Sequence, residues 1–148
     1  MNVLLVTGSR KLVDRGTGCF LAYERIINEL LANTDLLVAG DARGPDQWAI
    51  MANACPFERW SLGGIVFRRY HQYEWSSLKQ NNPLVRNRKM VESVRDRHLR
   101  YGENVLCVGF IDPDSRTHGT DHTLGLARRA GIWTARYVWR NERFVEES

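Results

Sequence analysis

Apolar residues in this chain fall in short continuous runs, separated by stretches in which they recur every three or four positions. The runs are Val3 to Val6, residues 36–39 (LLVA), residues 65–70 (IVFRRY, with arginines inside it), residues 105–110 (VLCVGF) and residues 134–139 (TARYVW). Runs of this length suit strands covered on both faces. Between them, Phe20, Tyr23, Ile27, Leu30 and Leu31 recur at helical spacing, and a second helix is expected from Pro45 to Ala54. A longer helix opens at Asn82-Pro83, where Asn82 suits the cap and Pro83 the first helical position. Its apolar stripe is Met90, Val91, Val94 and His98 or Leu99. A last helix runs from Thr120 to Ala130 and stops at Gly131, a usual C-terminal signal.

Strand alternating with helix from end to end predicts an α/β fold in three layers, a parallel sheet of five strands with helices on both faces. Right-handed crossovers favour the order 3-2-1-4-5, with the expected strands numbered along the chain. That order centres the most apolar runs. It leaves at the edges the strands carrying Arg68, Arg69 and Arg136, whose charge discourages further pairing. A single domain is expected over residues 1–140, followed by a polar tail over 141–148.

Composition narrows the class. A chain of 148 residues, 43% hydrophobic and 26% charged, is long enough for a substantial core. No run approaches the roughly 20 apolar residues that span a bilayer. The start, MNVLLVTGSR, lacks the basic lead-in and small-residue cleavage site of a signal peptide. Cys19, Cys55 and Cys107 are widely spaced in apolar surroundings, so buried free thiols in a cytoplasmic setting are expected. Net charge is +4, and lysine occurs only at 11, 79 and 89, which makes nearly all the positive charge arginine. Arginine suits forked contacts to phosphate or carboxylate. Arg128 and Arg129 on an exposed helix face, and Arg140 and Arg143 near the C-terminus, account for part of it as solvated surface.

In an open parallel sheet the ligand crevice lies beyond the carboxyl ends of the strands. The segments that reach that edge are Thr7-Gly8-Ser9-Arg10, Gly40-Asp41-Ala42-Arg43-Gly44-Pro45-Asp46, Asn81 to Asn87, and Asp112 to Thr120. Glycines, free amides at helix starts and arginines together make a phosphate cradle. Neither GxGxxG nor the GKS/T of a P-loop occurs. Arg86 falls in a first helical turn, where the dipole disfavours a cation by a few tenths of a kcal/mol, and this points to ligand charge nearby. Asp46 suits the same dipole, and equally a ribose contact or proton transfer. Asn87 beside Arg86 serves to cap or orient a loop. Glu74-Trp75 offers a stacking face for a base with a carboxylate for a sugar, although Trp75 is as well suited to closing the core. His118 and His122 are four apart, but Gly119 between them marks the helix start and no third strong ligand is evident. No metal and no cofactor is expected.

TGSR near the start, GDARGPDQWA after the second run, EW followed by RNRKM, and HGT before a helix ending AGI occur in a familiar order. Over residues 2–138 the chain resembles the SLOG superfamily, most closely its branch of small YspA/YpsA-related proteins of bacteria and phages. It is more distantly similar to the lysine-decarboxylase-like phosphoribohydrolases and to DNA-processing protein A. The resemblance implies a Rossmann-like fold, a site for a nucleotide or nucleotide-derived ligand, and a homo-oligomer. It also implies hydrolysis of the N-glycosidic bond of a nucleoside phosphate. Arg86 and Met90 match the Arg-x-x-x-Met of the phosphoribohydrolases, whose arginine serves catalysis. Their Gly-Gly-x-Gly-Thr-x-x-Glu is kept at Gly119-Thr120, while Ser115-Arg116 replaces the double glycine and Thr123 stands at the glutamate. Arg116 then takes over phosphate binding, and Asp121 with His122 are the groups near enough to replace the acid.

The expected catalytic residues are therefore Arg86, Asp46 and Asp121. The expected ligand contacts are Thr7, Gly8, Ser9, Arg10, Gly40, Asp41, Arg43, Gly44, Glu74, Trp75, Asn87, Arg116, Gly119, Thr120 and His122. Two other functions compete: a single-stranded nucleic-acid-binding module, suggested by the arginine excess although no contiguous basic-aromatic stripe is present, and a sensor that holds nucleotides without turnover.

Overall fold

A computed structural model describes residues 1–69, 72–77, 79–80 and 82–148; Tyr70 of the third expected strand and Asn81 of the third expected loop lie outside the described residues. In chain order come β1 (Asn2–Gly8), a 3-10 helix (Arg10–Arg15), α1 (Thr17–Leu31), β2 (Leu36–Gly40), α2 (Pro45–Met51), β3 (Phe57–Trp60), β4 (Ile65–Arg69), β5 (Gln72–Ser76), α3 (Pro83–Tyr101), β6 (Asn104–Ile111), α4 (Gly119–Arg129), β7 (Trp133–Arg140) and β8 (Arg143–Glu146). The strands form one mixed sheet of eight, ordered β5-β4-β3-β2-β1-β6-β7-β8. The inner set, β3 to β7 in that order, is parallel throughout.

The apolar run at residues 3–6 sits at the centre because it is covered on both faces. Val3 and Leu5 face one core with Val38, Cys107, Met90, Val91 and Val94 of α3 and Leu124 and Ala127 of α4. Leu4 and Val6 face the other, with Ala39, Phe110, Leu12, Cys19, Tyr23 and Ile27 of α1 and Ala49 of α2. Helices therefore pack on both sides of the sheet. Asn82 caps α3 as expected, its Oδ1 accepting the Val85 amide at 3.0 Å. Gly131 ends α4 at φ +79°. The three cysteines are free thiols, Cys19 and Cys107 buried and Cys55 half-buried. Among the described residues no helix is long and apolar enough to cross a membrane.

The five-strand expectation is corrected to eight strands, and the identity of the third strand changes. Residues 57–60 form the parallel neighbour of β2, with Leu37 opposite Phe57; residues 65–69 form an antiparallel strand outside them. FERW does not read as an apolar run because Glu58 and Arg59 interrupt it. Glu58 is nonetheless only 3% exposed, since it accepts from Arg97 at 3.1 Å and from the Trp60 indole at 3.2 Å. The order 3-2-1-4-5 thus holds only for the inner parallel strands, with 57–60 as the third.

The arginines assigned to sheet edges are not at edges. Arg68 and Arg69 pair with Tyr73 and Gln72 of β5, and the Arg136 carbonyl accepts the Glu147 amide at 2.8 Å. Residues 141–148, expected as a polar tail, carry β8. Asn141 and Glu142 both take positive φ, 52° and 59°, the two-residue turn that suits a twisted hairpin. Phe144 then packs against Trp139 and Phe110, at ring distances of 4.9 and 5.3 Å.

Gly8 is required where β1 meets the start of α2, because a Cβ there would overlap the Pro45 ring. The ring cannot readily retreat, since the Pro45 carbonyl accepts the buried Tyr23 hydroxyl at 2.8 Å. Gly8→Ala is expected to lower the unfolding free energy by about 1–3 kcal/mol, as overpacking does. Urea unfolding of Gly8→Ala, Pro45→Ala and the double variant checks it: the double variant recovers part of the loss, whereas strict additivity would contradict this packing.

Candidate functional site

The carboxyl ends of β2, β1 and β6 form a short row on the side of α3 and α4. Thr7 pairs with Gly109, and extending the β1–β2 register by one residue sets Gly40 on its other side. A glycine on each side of Thr7 lets side chains above the sheet come close. A Cβ on Gly109 would lie 2.7 Å from Leu124 and 3.0 Å from Thr120. A Cβ on Gly40 would lie 2.7 Å from Asp46 Oδ2 and 3.3 Å from the Arg86 guanidinium. The bare backbone at Gly8 and Gly40 is thus filled by the protein itself, by Pro45 in one case and by Asp46 with Arg86 in the other.

Asp46, second residue of α2, and Arg86, in the first turn of α3, are 4% and 5% exposed. Arg86 donates from Nε to Asn87 Oδ1 at 3.0 Å, and from Nη1 to Asp41 Oδ1 at 2.6 Å and the Trp60 carbonyl at 3.3 Å. Its Nη2 donates to none of the described residues. Asp41 and Asn87, both expected as ligand contacts, instead hold Arg86 in place. Asp46 Oδ1 is buried without a hydrogen-bond partner among the described residues. Burial pushes the Asp46 carboxyl up to about 7, while the Arg86 guanidinium and the amides of Ala42 and Gly8 restrain the rise. A carboxyl that titrates near neutrality is suited to accept or return a proton.

The other expected residues divide into those the fold gathers at this edge and those it does not. Ser9 donates its amide to the Phe110 carbonyl at 2.9 Å, and its hydroxyl accepts the Asp112 amide at 3.2 Å, stitching the first loop to β6. Gly44, at φ +91°, lies against the Ser9 carbonyl, so the first two loops touch. Ser9, Asp112, His118, Thr120 and Asp121 help to line a polar cavity of about 230 Å³ at the start of α4. A Cβ on Gly119 would meet open space. Arg10, Arg43, Arg116 and His122 are exposed, and their side chains make no hydrogen bond among the described residues.

Three expectations are altered. Asp121 is bound by Arg136 through both oxygens, at 2.9 and 3.3 Å, so its carboxylate is already engaged. Thr123 is fully buried and its hydroxyl donates to the Gly119 carbonyl at 3.0 Å, leaving no acid in the glutamate position. Glu74 and Trp75 lie on β5, four strands from β1 and on the order of 19 Å away. As neighbours in a strand they point to opposite faces. They do not join the crevice.

Asp112 and Arg15 were not anticipated as a pair. Asp112 is buried, and Arg15 grips it at 2.7 and 2.8 Å while also holding Asp114 at 2.7 Å. The Arg15 contact keeps the Asp112 carboxyl below its ordinary range. The signal available was Asp-Pro-Asp directly after an apolar strand; the partner lies 97 residues earlier. No group of three or more His, Cys, Asp or Glu among the described residues is placed to hold a metal. A cavity of about 400 Å³ bounded by Leu4, Leu30, Leu106 and Trp133 opens at the opposite, amino-terminal edge of the strands. Compared with protein-family models, curated proteins and solved structures, the chain finds no match.

Burial of Asp46 sets a pH dependence. The folded chain favours the neutral acid, so the proton stays on in the fold at pH values where the unfolded chain has released it. The corresponding stability is full below about pH 4, falls as pH rises toward 7, and is absent above. Asp46→Asn is expected to flatten this decline. At pH 8 it should exceed the parent by on the order of 2–4 kcal/mol, with little difference near pH 4. Urea titrations from pH 4 to 8 measure both, and an unchanged slope would show that Asp46 is not its source.

Proposed function

We propose that the chain is a Rossmann-like, SLOG-type protein that binds a nucleotide or nucleotide-derived ligand across the ends of β2, β1 and β6, and cleaves the N-glycosidic bond of a nucleoside phosphate there. The observation that carries this is the pair Asp46 and Arg86 sunk against Gly40, with Asp46 Oδ1 buried and unpartnered among the described residues. Arg86 Nη2 is the donor for a phosphate or ribose oxygen. The amides at Gly119 and Thr120, at the positive end of α4, suit phosphate oxygens. Arg10, Arg43 and Arg116 add positive charge around the mouth. Asp46 takes a proton from water as the water oxygen bonds to the ribose carbon and the bond to the base breaks, and that proton then leaves on the base. A cytoplasmic setting and a homo-oligomer go with this reading.

The burial of Thr123 favours a second reading, a sensor that binds the same ligands and leaves them intact. Calorimetric titration with nucleoside monophosphates, followed by chromatography for free base, separates the two. The expected result is saturable binding of one nucleotide class, at least tenfold weaker in Arg86→Gln. Base release should be slowed about a hundredfold or more in Asp46→Asn, the scale of a lost general base. Binding without base release establishes the sensor. No heat with any nucleotide or ADP-ribose overturns both.

A further inference from the structure

The outer strands of the sheet carry an aromatic and basic surface that the linear sequence conceals. On the α1 and α2 side, register places Phe57, Arg68 and Tyr73 in one cross-strand row and Arg59, Val66 and Trp75 in the next. On this side α2 packs over β1 and β2. Tyr73 is 70% and Trp75 59% exposed, and Arg59 is exposed as well.

The groups are held in place. A Cβ on Gly64 would lie 2.7 Å from Trp75 Cζ2, so the indole rests on the glycine backbone. Tyr73 meets Phe57 edge to face, with centroids 6.5 Å apart. The Arg68 guanidinium lies 5.9 Å from the Phe57 centroid and donates to the Cys55 carbonyl at 3.4 Å. The acids of these strands, Glu58 and Glu74, pair with Phe67 in the intervening rows and so point to the opposite face. Glu58 is bound there by Arg97. Arg59 and Arg68 form no ion pair among the described residues. Strand alternation has sorted the mixed sequences FERW, IVFRR and QYEWS into a face with cations and π-surfaces but no carboxylate.

We propose that this face binds a single strand of nucleic acid, with bases stacked on Trp75 and Tyr73 and phosphates neutralised by Arg59 and Arg68. Aromatic platforms interleaved with cations are the chemistry that holds unpaired strands with little regard to sequence. Two rings on alternate residues of one strand stand about 6.8 Å apart, so a base on each requires an extended, unpaired strand. Base stacking and phosphate pairing are common to single-stranded DNA and RNA, so the chemistry of this face fits an unpaired strand of either sugar. The surface is separate from the Asp46–Arg86 crevice: it lies on the other face of the sheet, and two strands, β4 and β3, stand between β5 and the Gly40 strand β2.

Fluorescence anisotropy with a labelled oligothymidine of about twelve nucleotides tests the proposal. Trp75→Ala and Tyr73→Ala should each weaken binding at least fivefold, while Trp75→Phe, which keeps a stacking ring, retains most of the affinity. Arg59→Ala should reduce the slope of log affinity against log salt by about 0.7, one phosphate contact on a single strand. Both rings are more than half exposed, so unchanged urea midpoints are expected for these variants. Arg86→Gln should leave oligonucleotide binding intact, so loss of the crevice activity and loss of this surface read out separately. Failure of the parent to bind, equal binding by a Trp75→Ala/Tyr73→Ala double variant, or tighter binding of duplex DNA would overturn it; an oligouridine of the same length, titrated alongside, tells a DNA strand from an RNA strand.

Discussion

The structure depends on β1 being enclosed from four directions. Its backbone is paired on both edges, with β2 and β6, and its side chains are buried on both faces. A strand with parallel neighbours on both sides cannot be connected by hairpins, so the chain must cross over through helices and return to the same edge each time. The ends of β1, β2 and β6 therefore come out together, and α2, α3 and α4 begin beside them. Their amino-terminal dipoles converge on one small region, which is where Asp46, Arg86 and Thr120 lie. The chemistry of the edge follows from the connectivity that the centre imposes.

That centre was legible because its runs are continuous and bounded by glycine, proline and asparagine. Val3 to Val6 and residues 105–110 admit few other readings, and the Asn82 cap and Gly131 stop mark helix ends by local chemistry alone. What was missed is what depends on partners far along the chain. Glu58 interrupts an apolar strand, and Arg97, on a helix 39 residues later, makes its burial tolerable together with the Trp60 indole. The segment RFVE looked like tail because its composition is polar. It becomes a strand because Asn141 and Glu142 accept left-handed backbone and Phe144 finds a ring cluster to enter. Arg68 and Arg136 looked like edge guards for the same reason, since the hairpins that cover them are not visible as apolar runs.

The candidate site was legible in location more than in detail. Gly8 and Gly40 were correctly placed at strand ends, but a glycine in a sequence says only that a Cβ does not fit. It does not say whether a ligand or the protein occupies the space, and here Pro45, Asp46 and Arg86 occupy it. Arg86 in a first helical turn suggested a missing negative charge, and the fold supplies one from Asp41. Glu74 and Trp75 seemed one functional pair because they are adjacent, yet adjacency in a strand separates side chains. The same alternation that divides them brings Arg59, Val66 and Trp75 into one row across three strands.

On the proposed function, the electrostatics of the crevice decide how a phosphate would be received there. Asp41 answers the formal charge of Arg86, so the remaining variable is Asp46, whose carboxyl titrates near neutrality. A phosphate seated beside Arg86 adds negative charge near that buried carboxyl and disfavours its ionised form further. Binding of an anionic nucleotide and uptake of a proton by Asp46 are then thermodynamically linked, each strengthening the other. Above neutrality the ionised carboxylate opposes the phosphate, and the helix dipoles with Arg10, Arg43 and Arg116 must supply the compensating field. Below it, the neutral acid removes that repulsion but forfeits the base needed to direct water. On the proposed function, ligand affinity and turnover at this site thus respond in opposite directions to the same proton.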